Sequence, residues 1–142
     1  MPITDYFLAP DDTSAAAVID ERGPVPAGLP TVESKGLDPA VNLGFLEAFL
    51  TGHTYEEVTA LPRQGAAVSD TSQLPVIVAV TDTLRDALAT ATDEQIPTVA
   101  ARWAETEELA GTDPAGLADF IRRLADLARK ADNQHLYCYW TI

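Results

Sequence analysis

One short stretch of this chain holds its densest group of side chains that could do chemistry. Glu105, Glu107 and Glu108 closely follow Arg102 and Trp103. Carboxylates this close together suit acid–base chemistry or cation binding, and a large aromatic beside a guanidinium suits a carboxylate or a planar ligand. The stretch therefore predicts a ligand pocket. In the competing interpretation Trp103 is a core residue, Arg102 pairs with Glu105 at i+3, and the glutamates lie on a solvated helix face.

A second candidate surface is the run Tyr55-Glu56-Glu57, an aromatic residue followed by two acids. An exposed aromatic ring is typical of recognition surfaces, and the two acids make this one negatively charged. A solvated loop or a short helix is the competing interpretation. We assign Tyr55, Glu56 and Glu57, together with the residues of the first stretch, as candidates for binding a ligand or a partner.

The sequence lacks the usual catalytic and metal-binding patterns. It has two histidines and one cysteine, and its four serines lie in no triad context. His135 and Cys138 are close in sequence, but positions three apart in a strand point to opposite faces and cannot share a metal ion. No phosphate-binding glycine loop or nucleophile elbow occurs. We therefore predict no catalytic residue, no metal and no cofactor, and an enzyme is the less favoured class.

The negative charge of the chain is regional. Residues 1–110 contain 18 acidic and 5 basic side chains, whereas residues 111–142 contain four of each, so the net charge of −13 belongs to the first part. Such a surface repels nucleic acid and steers a basic partner towards it. This predicts a protein-interaction module, of the kind that includes immunity proteins and inhibitors of basic toxins or enzymes. The alternative is a small-molecule-binding protein or unrecognised enzyme with a pocket near Arg102 and Trp103.

Length and composition predict a single globular domain. With 142 residues, 46% of them hydrophobic, the chain can bury a real core. No apolar run approaches the ~18 to 20 residues of a membrane span, and the N-terminus has no signal-peptide pattern. A lone cysteine fits a reducing compartment. We expect a cytoplasmic protein without membrane contact, and the excess of Arg over Lys is typical of a GC-rich bacterial genome.

Five helices are expected to position the candidate residues. In the clearest one, Asp113 can cap the first turn, Pro114 suits its first position, and an apolar stripe starts at Leu117. On its other side, acids precede bases by three or four positions, which favours ion pairs along a solvated face. The predicted helices span residues 12–21, 38–51, 82–91, 92–110 and 112–133.

The central one of these helices is expected to lie in the middle of the fold. Asp38 can cap it and Gly52 can end it in a left-handed conformation. It is apolar nearly all round, with Asn42 and Glu47 as the main exceptions. Gly44 inside the helix lowers its intrinsic helix propensity, which indicates that another backbone packs close there.

The helix predicted over 92–110 has an ambiguous start. Thr92 and Gln95 form a capping-box pattern, but Pro97 follows just beyond the first turn, so the helix either kinks there or begins at the proline. Its expected inner face consists of Ile96, Val99, Ala100, Trp103 and Ala110.

Three segments are predicted as strands. Residues 136–142 alternate, with Leu136, Cys138, Trp140 and Ile142 on one face and tyrosines on the other. Residues 74–80 and 3–8 are shorter candidates, and Pro75 should lie at a strand start or on an edge. Together these elements predict an α+β fold in which a small sheet, including the N- and C-terminal strands, packs against about five helices.

Three features of this layout belong together. The chain starts with a strand-then-helix segment, ITDYFLAPDD, its central helix ends in Phe-Leu-Thr-Gly, and its long last helix leads into LYCYWTI. In these features the chain resembles the YfbM-like family of uncharacterised bacterial proteins, and the resemblance implies an α+β fold. Where that family's central helix carries Lys, Trp and His, this chain has Ala40, Val41 and Leu43. The resemblance therefore assigns no site residue and no activity.

Overall fold

A four-stranded antiparallel sheet forms the centre of the protein, in a computed structural model that describes residues 2–142. The strands are β1 (Ile3–Ala9), β2 (Thr31–Val32), β3 (Val76–Ala79) and β4 (His135–Thr141). Their order is β2-β1-β4-β3, so the N- and C-terminal strands pair in the middle and the short strands form the edges. The predicted pairing of both chain ends in one sheet is confirmed, as is the place of Pro75 beside an edge strand.

Within residues 2–142, six α-helices and two short 3-10 turns surround the sheet. The helices are α1 (Asp12–Ala16), α2 (Val41–Thr51), α3 (Tyr55–Thr59), α4 (Asp82–Thr90), α5 (Gln95–Ala104) and α6 (Pro114–Arg129), and the turns are Ala17–Ile19 and Glu107–Leu109. The architecture is α+β, as the sequence predicts.

The two faces of the sheet bury different cores. Leu136 and Cys138 of β4 point into a large core formed with α2, α4, α5 and α6. Tyr137 and Tyr139 point to the other side, where α1 and its following turn cover a smaller core. The predicted alternation along the last strand is therefore confirmed, and it works because both faces of this central strand are covered.

The long helices depart from prediction mainly at their ends. Regular helix α2 begins at Val41 rather than at Asp38, yet Oδ1 of Asp38 accepts the backbone N–H groups of Ala40 at 2.9 Å and Val41 at 2.6 Å, so the predicted cap is present. Gly52 ends α2 at a φ of 79°, as expected. In α6 the side chain of Asp113 caps the helix as predicted.

Helix α5 is shorter than the predicted 92–110. It begins at Gln95, between the two predicted starts, and Pro97 lies in its first turn, where a missing N–H has no helical acceptor to lose. It ends at Ala104, because the backbone N–H and the hydroxyl of Thr106 both donate to the carbonyl of Trp103, and Thr106 leaves the helical conformation. As a result Ala110 is exposed, and Leu109 takes the buried place instead.

Gly44 has a close neighbour, but it is a side chain rather than the expected backbone. A Cβ at this position would lie 2.9 Å from Cε1 of Tyr55 and 3.2 Å from Nε2 of Gln64. The Tyr55 ring cannot withdraw freely, because it stacks on Phe45. Gly44 is therefore the position that lets α3 lie against α2.

We expect Gly44→Ala to lower the free energy of unfolding by about 1 to 3 kcal/mol through overpacking, despite a helix-propensity gain of up to ~1 kcal/mol. Gly116→Ala is the matched control, since a Cβ on this helical glycine meets nothing within 4 Å, and it should stabilise the protein by up to ~1 kcal/mol. Urea denaturation of both variants measures the difference. Equal stabilities would mean that Tyr55 does not pack on α2.

Candidate functional site

A row of three aromatic rings runs across the outer side of α2 and α3. Phe45 and Phe49 are four positions apart on α2, so their rings lie on one face with centroids 6.3 Å apart. The ring of Tyr55, from α3, stacks on Phe45 with centroids 4.2 Å apart and planes inclined by 21°. Val41, 36% exposed, extends the row by one turn of α2. All three rings are only partly buried.

Local sequence fixes the orientation of α3. The hydroxyl of Thr54 accepts the N–H of Glu57, and a carboxylate oxygen of Glu57 accepts the N–H of Thr54, both at 3.1 Å. This reciprocal capping box starts the helix at Tyr55 and leaves Glu56 exposed beside it. The structure therefore favours the short helix over the loop as the form of the predicted Tyr55-Glu56-Glu57 surface.

Arg102 covers one end of the aromatic row. Its guanidinium carbon lies 4.5 Å from the centroid of the Phe49 ring, a cation–π contact. Among residues 2–142 no ion pair joins Arg102 to Glu105, although the sequence suggested one. The difference arises because α5 ends at Ala104, so Glu105 is a capping residue rather than part of a helical i, i+3 pair.

Three carboxylates lie near enough to the other end of the row to act on Tyr55. Burial raises the pKa of Tyr55, and the negative charges of Asp38, Glu108 and Glu56 raise it further, in that order of effect. Within the described chain no cation lies over the Tyr55 ring. The fold thus joins the two candidate stretches of the sequence, since Arg102 and Glu108 come from one and Tyr55 and Glu56 from the other. We call this surface the aromatic face; it comprises Phe45, Phe49 and Tyr55 with Asp38, Glu56, Arg102 and Glu108.

The remaining candidates lie elsewhere. Trp103 is 0% exposed, and its Nε1 donates to the carbonyl of Asn42 at 3.0 Å, so its ring fills the core and offers no surface to a ligand. Glu105 and Glu107 are exposed and have no hydrogen bond or ion pair from their side chains to another described residue. Glu57 is engaged in the cap of α3 and lies 3.6 Å from His53.

A polar cluster that the sequence did not indicate lies at one end of the sheet. Arg63 donates two hydrogen bonds to the carboxylate of Asp12, at 3.0 and 2.7 Å, and the hydroxyl of Tyr137 donates to the same carboxylate at 2.6 Å. Nδ1 of His135 lies 2.8 Å from Oδ1 of Asp82. These residues come from four separate segments, so only the pairing of β1, β3 and β4 brings them together.

Among the described residues, the polar cluster contains an aspartate–histidine pair, as catalytic triads do, but no nucleophile bonded to it. An aspartate that orients a histidine is the second half of a Ser-His-Asp-type triad. In residues 2–142, however, no hydroxyl or thiol is hydrogen-bonded to His135. Moreover, within residues 2–142 no group of three His, Cys, Asp or Glu side chains is placed to hold a metal ion. The cluster ties α1 and α4 to the sheet, with Arg85 also bound to the carbonyl of Gln134 at 2.8 Å.

Acid should weaken this polar cluster through Asp12. The hydrogen bonds from Arg63 and then Tyr137 lower the pKa of Asp12 to about 2. A carboxyl with a lowered pKa in the folded state stabilises the protein above its ordinary pKa, and this contribution is lost as pH falls from about 4 towards 2. The free energy of unfolding of Asp12→Asn should therefore be lower than that of the wild type at pH 6, and the two values should approach each other at pH 2. Denaturation at both pH values measures this, with the exposed Asp20→Asn as control; a constant difference would contradict the assignment.

No family model, no curated protein and no solved structure matches this chain. The resemblance to the YfbM-like family therefore stays a prediction. None of the helices formed by residues 2–142 is both long enough and apolar enough to cross a bilayer.

Proposed function

We propose that this protein is a small acidic interaction module that binds a basic segment of a partner protein through its aromatic face, in the manner of immunity proteins and inhibitors of basic toxins or enzymes. The observation that carries the proposal is the Phe45–Tyr55 stack, with Arg102 over one end of the row and, near the other end, carboxylates that raise the pKa of Tyr55. The proposal includes a cytoplasmic location, in keeping with the single, buried Cys138.

The two ends of the aromatic row explain why the partner should be basic. Arg102 already occupies the Phe49 end, and a guanidinium on an aromatic face is worth about 0.5 to 2 kcal/mol. The Tyr55 end offers the same kind of ring without a cation, beside Glu56 and Glu108. An arginine of the partner stacked on Tyr55 would therefore gain both the ring and the carboxylates.

Charge and surface chemistry make nucleic acid a poor alternative. The net charge of −13 repels phosphates, and the most basic element, α6, pairs two of its arginines with its own acids, Arg123 with Asp119 and Arg129 with Asp126. The alternative pocket at Arg102 and Trp103 lacks support, since the Trp103 ring is enclosed.

The experiment compares two variants of equal charge. Glu56→Gln/Glu108→Gln alters the aromatic face, whereas Asp20→Asn/Glu21→Gln removes two exposed charges next to the turn that covers the opposite side of the sheet. Each variant and the wild type are used as bait in lysate at low and high salt, and the captured proteins are identified by mass spectrometry.

An exposed ion pair is worth about 0.2 to 1 kcal/mol, so losing two should weaken capture of a basic protein about 2- to 30-fold. We expect that loss for the face variant, little loss for the control, and weak capture by every bait at high salt. Equal losses in both variants would mean that capture depends on the net charge alone and not on the aromatic face. Recovery of no basic protein at low salt would contradict the proposal.

A further inference from the structure

Glu47 is a carboxylate buried between two helices. It is 2% exposed, and the hydroxyls of Thr81 and Thr83 donate to its two oxygens, the latter at 2.7 Å. The Thr81 oxygen in turn accepts the N–H of Leu84 at 3.1 Å, which caps α4. Glu47 therefore fastens the middle of α2 to the start of α4.

The charge of Glu47 is not balanced within the described chain. No Lys, Arg or His of residues 2–142 lies within ion-pair distance of its carboxylate. The N-terminus of α4 supplies the equivalent of roughly half a positive charge, which leaves part of the carboxylate charge uncompensated. Buried charges in proteins are normally paired or bound to a cation. The geometry therefore leaves a place for a positive group from outside the chain.

A cavity of about 200 Å³ has Glu47 in its lining. Val58 and Leu61 give it an apolar wall, and the exposed side chains of His53 and Glu57 stand at its mouth. Its volume exceeds the ~150 Å³ at which an apolar protein cavity holds a benzene molecule. It is lined by Glu47, His53, Glu57, Val58, Leu61 and Thr83.

We propose that this cavity binds a primary alkylammonium group, with its nitrogen at Glu47 and Thr83 and its alkyl chain along Val58 and Leu61. A carboxylate has about four acceptor positions, and the two threonines use two of them. An ammonium is a compact group with three donors that can use a remaining position on Glu47 together with a lone pair of Thr83. A planar guanidinium prefers both carboxylate oxygens at once and would need both remaining positions, whereas an ammonium needs only one of them.

This proposal is independent of the aromatic face. None of the residues that line the cavity belongs to that face, and a free amine tests the cavity without any partner protein. Failure of one proposal therefore leaves the other standing. The face variant Glu56→Gln/Glu108→Gln should bind amines as the wild type does.

The test is an NMR titration of the isotope-labelled protein with n-butylammonium chloride. The expected result is saturable shifts of the amides of Val58, Leu61 and Thr83 and of the Glu47 side-chain carboxyl carbon. Two probes serve as controls: n-butanol, which has the chain without the charge, and tetramethylammonium, which has the charge without N–H donors. Both should bind at least about tenfold more weakly, a difference of 1.4 kcal/mol. Equal affinity for n-butanol, or shifts centred elsewhere, would overturn the proposal.

Two variants distinguish the contribution of the Glu47 carboxylate from that of the cavity volume. Glu47→Gln removes the charge at nearly constant shape, and Leu61→Trp fills the cavity while Glu47 is kept. Each should lower the affinity for n-butylammonium about tenfold or more, whereas Asp93→Asn, an exposed charge on the segment before α5, should not. If Glu47→Gln does not fold, Leu61→Trp alone decides. A folded variant of either kind with wild-type affinity would contradict the proposal.

The ammonium can come from a lysine side chain or from a free amine. Titration with Nα-acetyl-lysine methylamide and with 1,4-diaminobutane compares these sources at the same carboxylate. Tighter binding of the lysine derivative assigns the cavity to a protein ligand, and tighter binding of the diamine assigns it to a metabolite. Binding of neither would overturn the proposal.

Discussion

Removal of residues 136–142 is expected to abolish cooperative folding. β4 lies between β1 and β3, so its loss unpairs two strands at once. It also removes the fully buried side chains of Leu136, Tyr137 and Cys138. Burial of one large apolar side chain is worth about 1.5 to 3 kcal/mol, against a total stability of about 5 to 15 kcal/mol for a typical domain.

Thermal melting followed by circular dichroism measures the effect of this truncation. The matched control lacks only Ile142, which is 83% exposed and lies beyond the end of β4, and it should melt within about a degree or two of the full chain, as surface changes usually do. A chain without residues 136–142 that melts equally close to the full chain would contradict the central position of β4.

Trp103→Ala is expected to lower the free energy of unfolding by about 3 to 5 kcal/mol, the usual range for loss of a buried aromatic side chain. The Trp103 ring is fully buried and lies with its centroid 6.1 Å from that of Phe120. Its loss also leaves the carbonyl of Asn42 without the indole donor, and Asn42 itself is buried.

The adjacent Arg102→Ala serves as the control for Trp103. It removes an exposed cation–π contact with Phe49, worth about 0.5 to 1 kcal/mol at such sites. Urea denaturation of both variants compares a core residue with its surface neighbour. Similar losses in the two would mean that Trp103 does not fill the core and would reopen the pocket interpretation.

The fold was largely predictable because its signals are local. The alternation of 136–142 and the capped apolar stripe beginning at Leu117 need only neighbouring residues to be recognised, and both are confirmed. The two-residue strand β2 gave no such signal, since alternation requires several positions. The end of α5 was placed too late because a bond between Thr106 and the carbonyl of Trp103 leaves no trace in hydrophobic periodicity.

The candidate sites were less predictable because they join distant segments. Tyr55 and Glu108 could be named separately, but only packing of α3 on Gly44 brings the Tyr55 ring into the aromatic row. His135 and Asp82 are 53 positions apart and meet through strand pairing. Glu47 did have a sequence signal, as an acid within an almost wholly apolar helix, although nothing in the sequence indicated its threonine partners.

The most direct test of the proposed function is an NMR titration of the labelled protein with a short Arg-Gly repeat peptide at low salt. The proposal predicts the largest amide shifts around Tyr55 and Glu56 in α3 and around Glu108, with loss of these shifts at high salt and in Glu56→Gln/Glu108→Gln. Asp20→Asn/Glu21→Gln should bind like the wild type. Shifts that follow exposed acids in general, including Asp93 and Glu94, and that persist unchanged in the face variant would contradict the proposal.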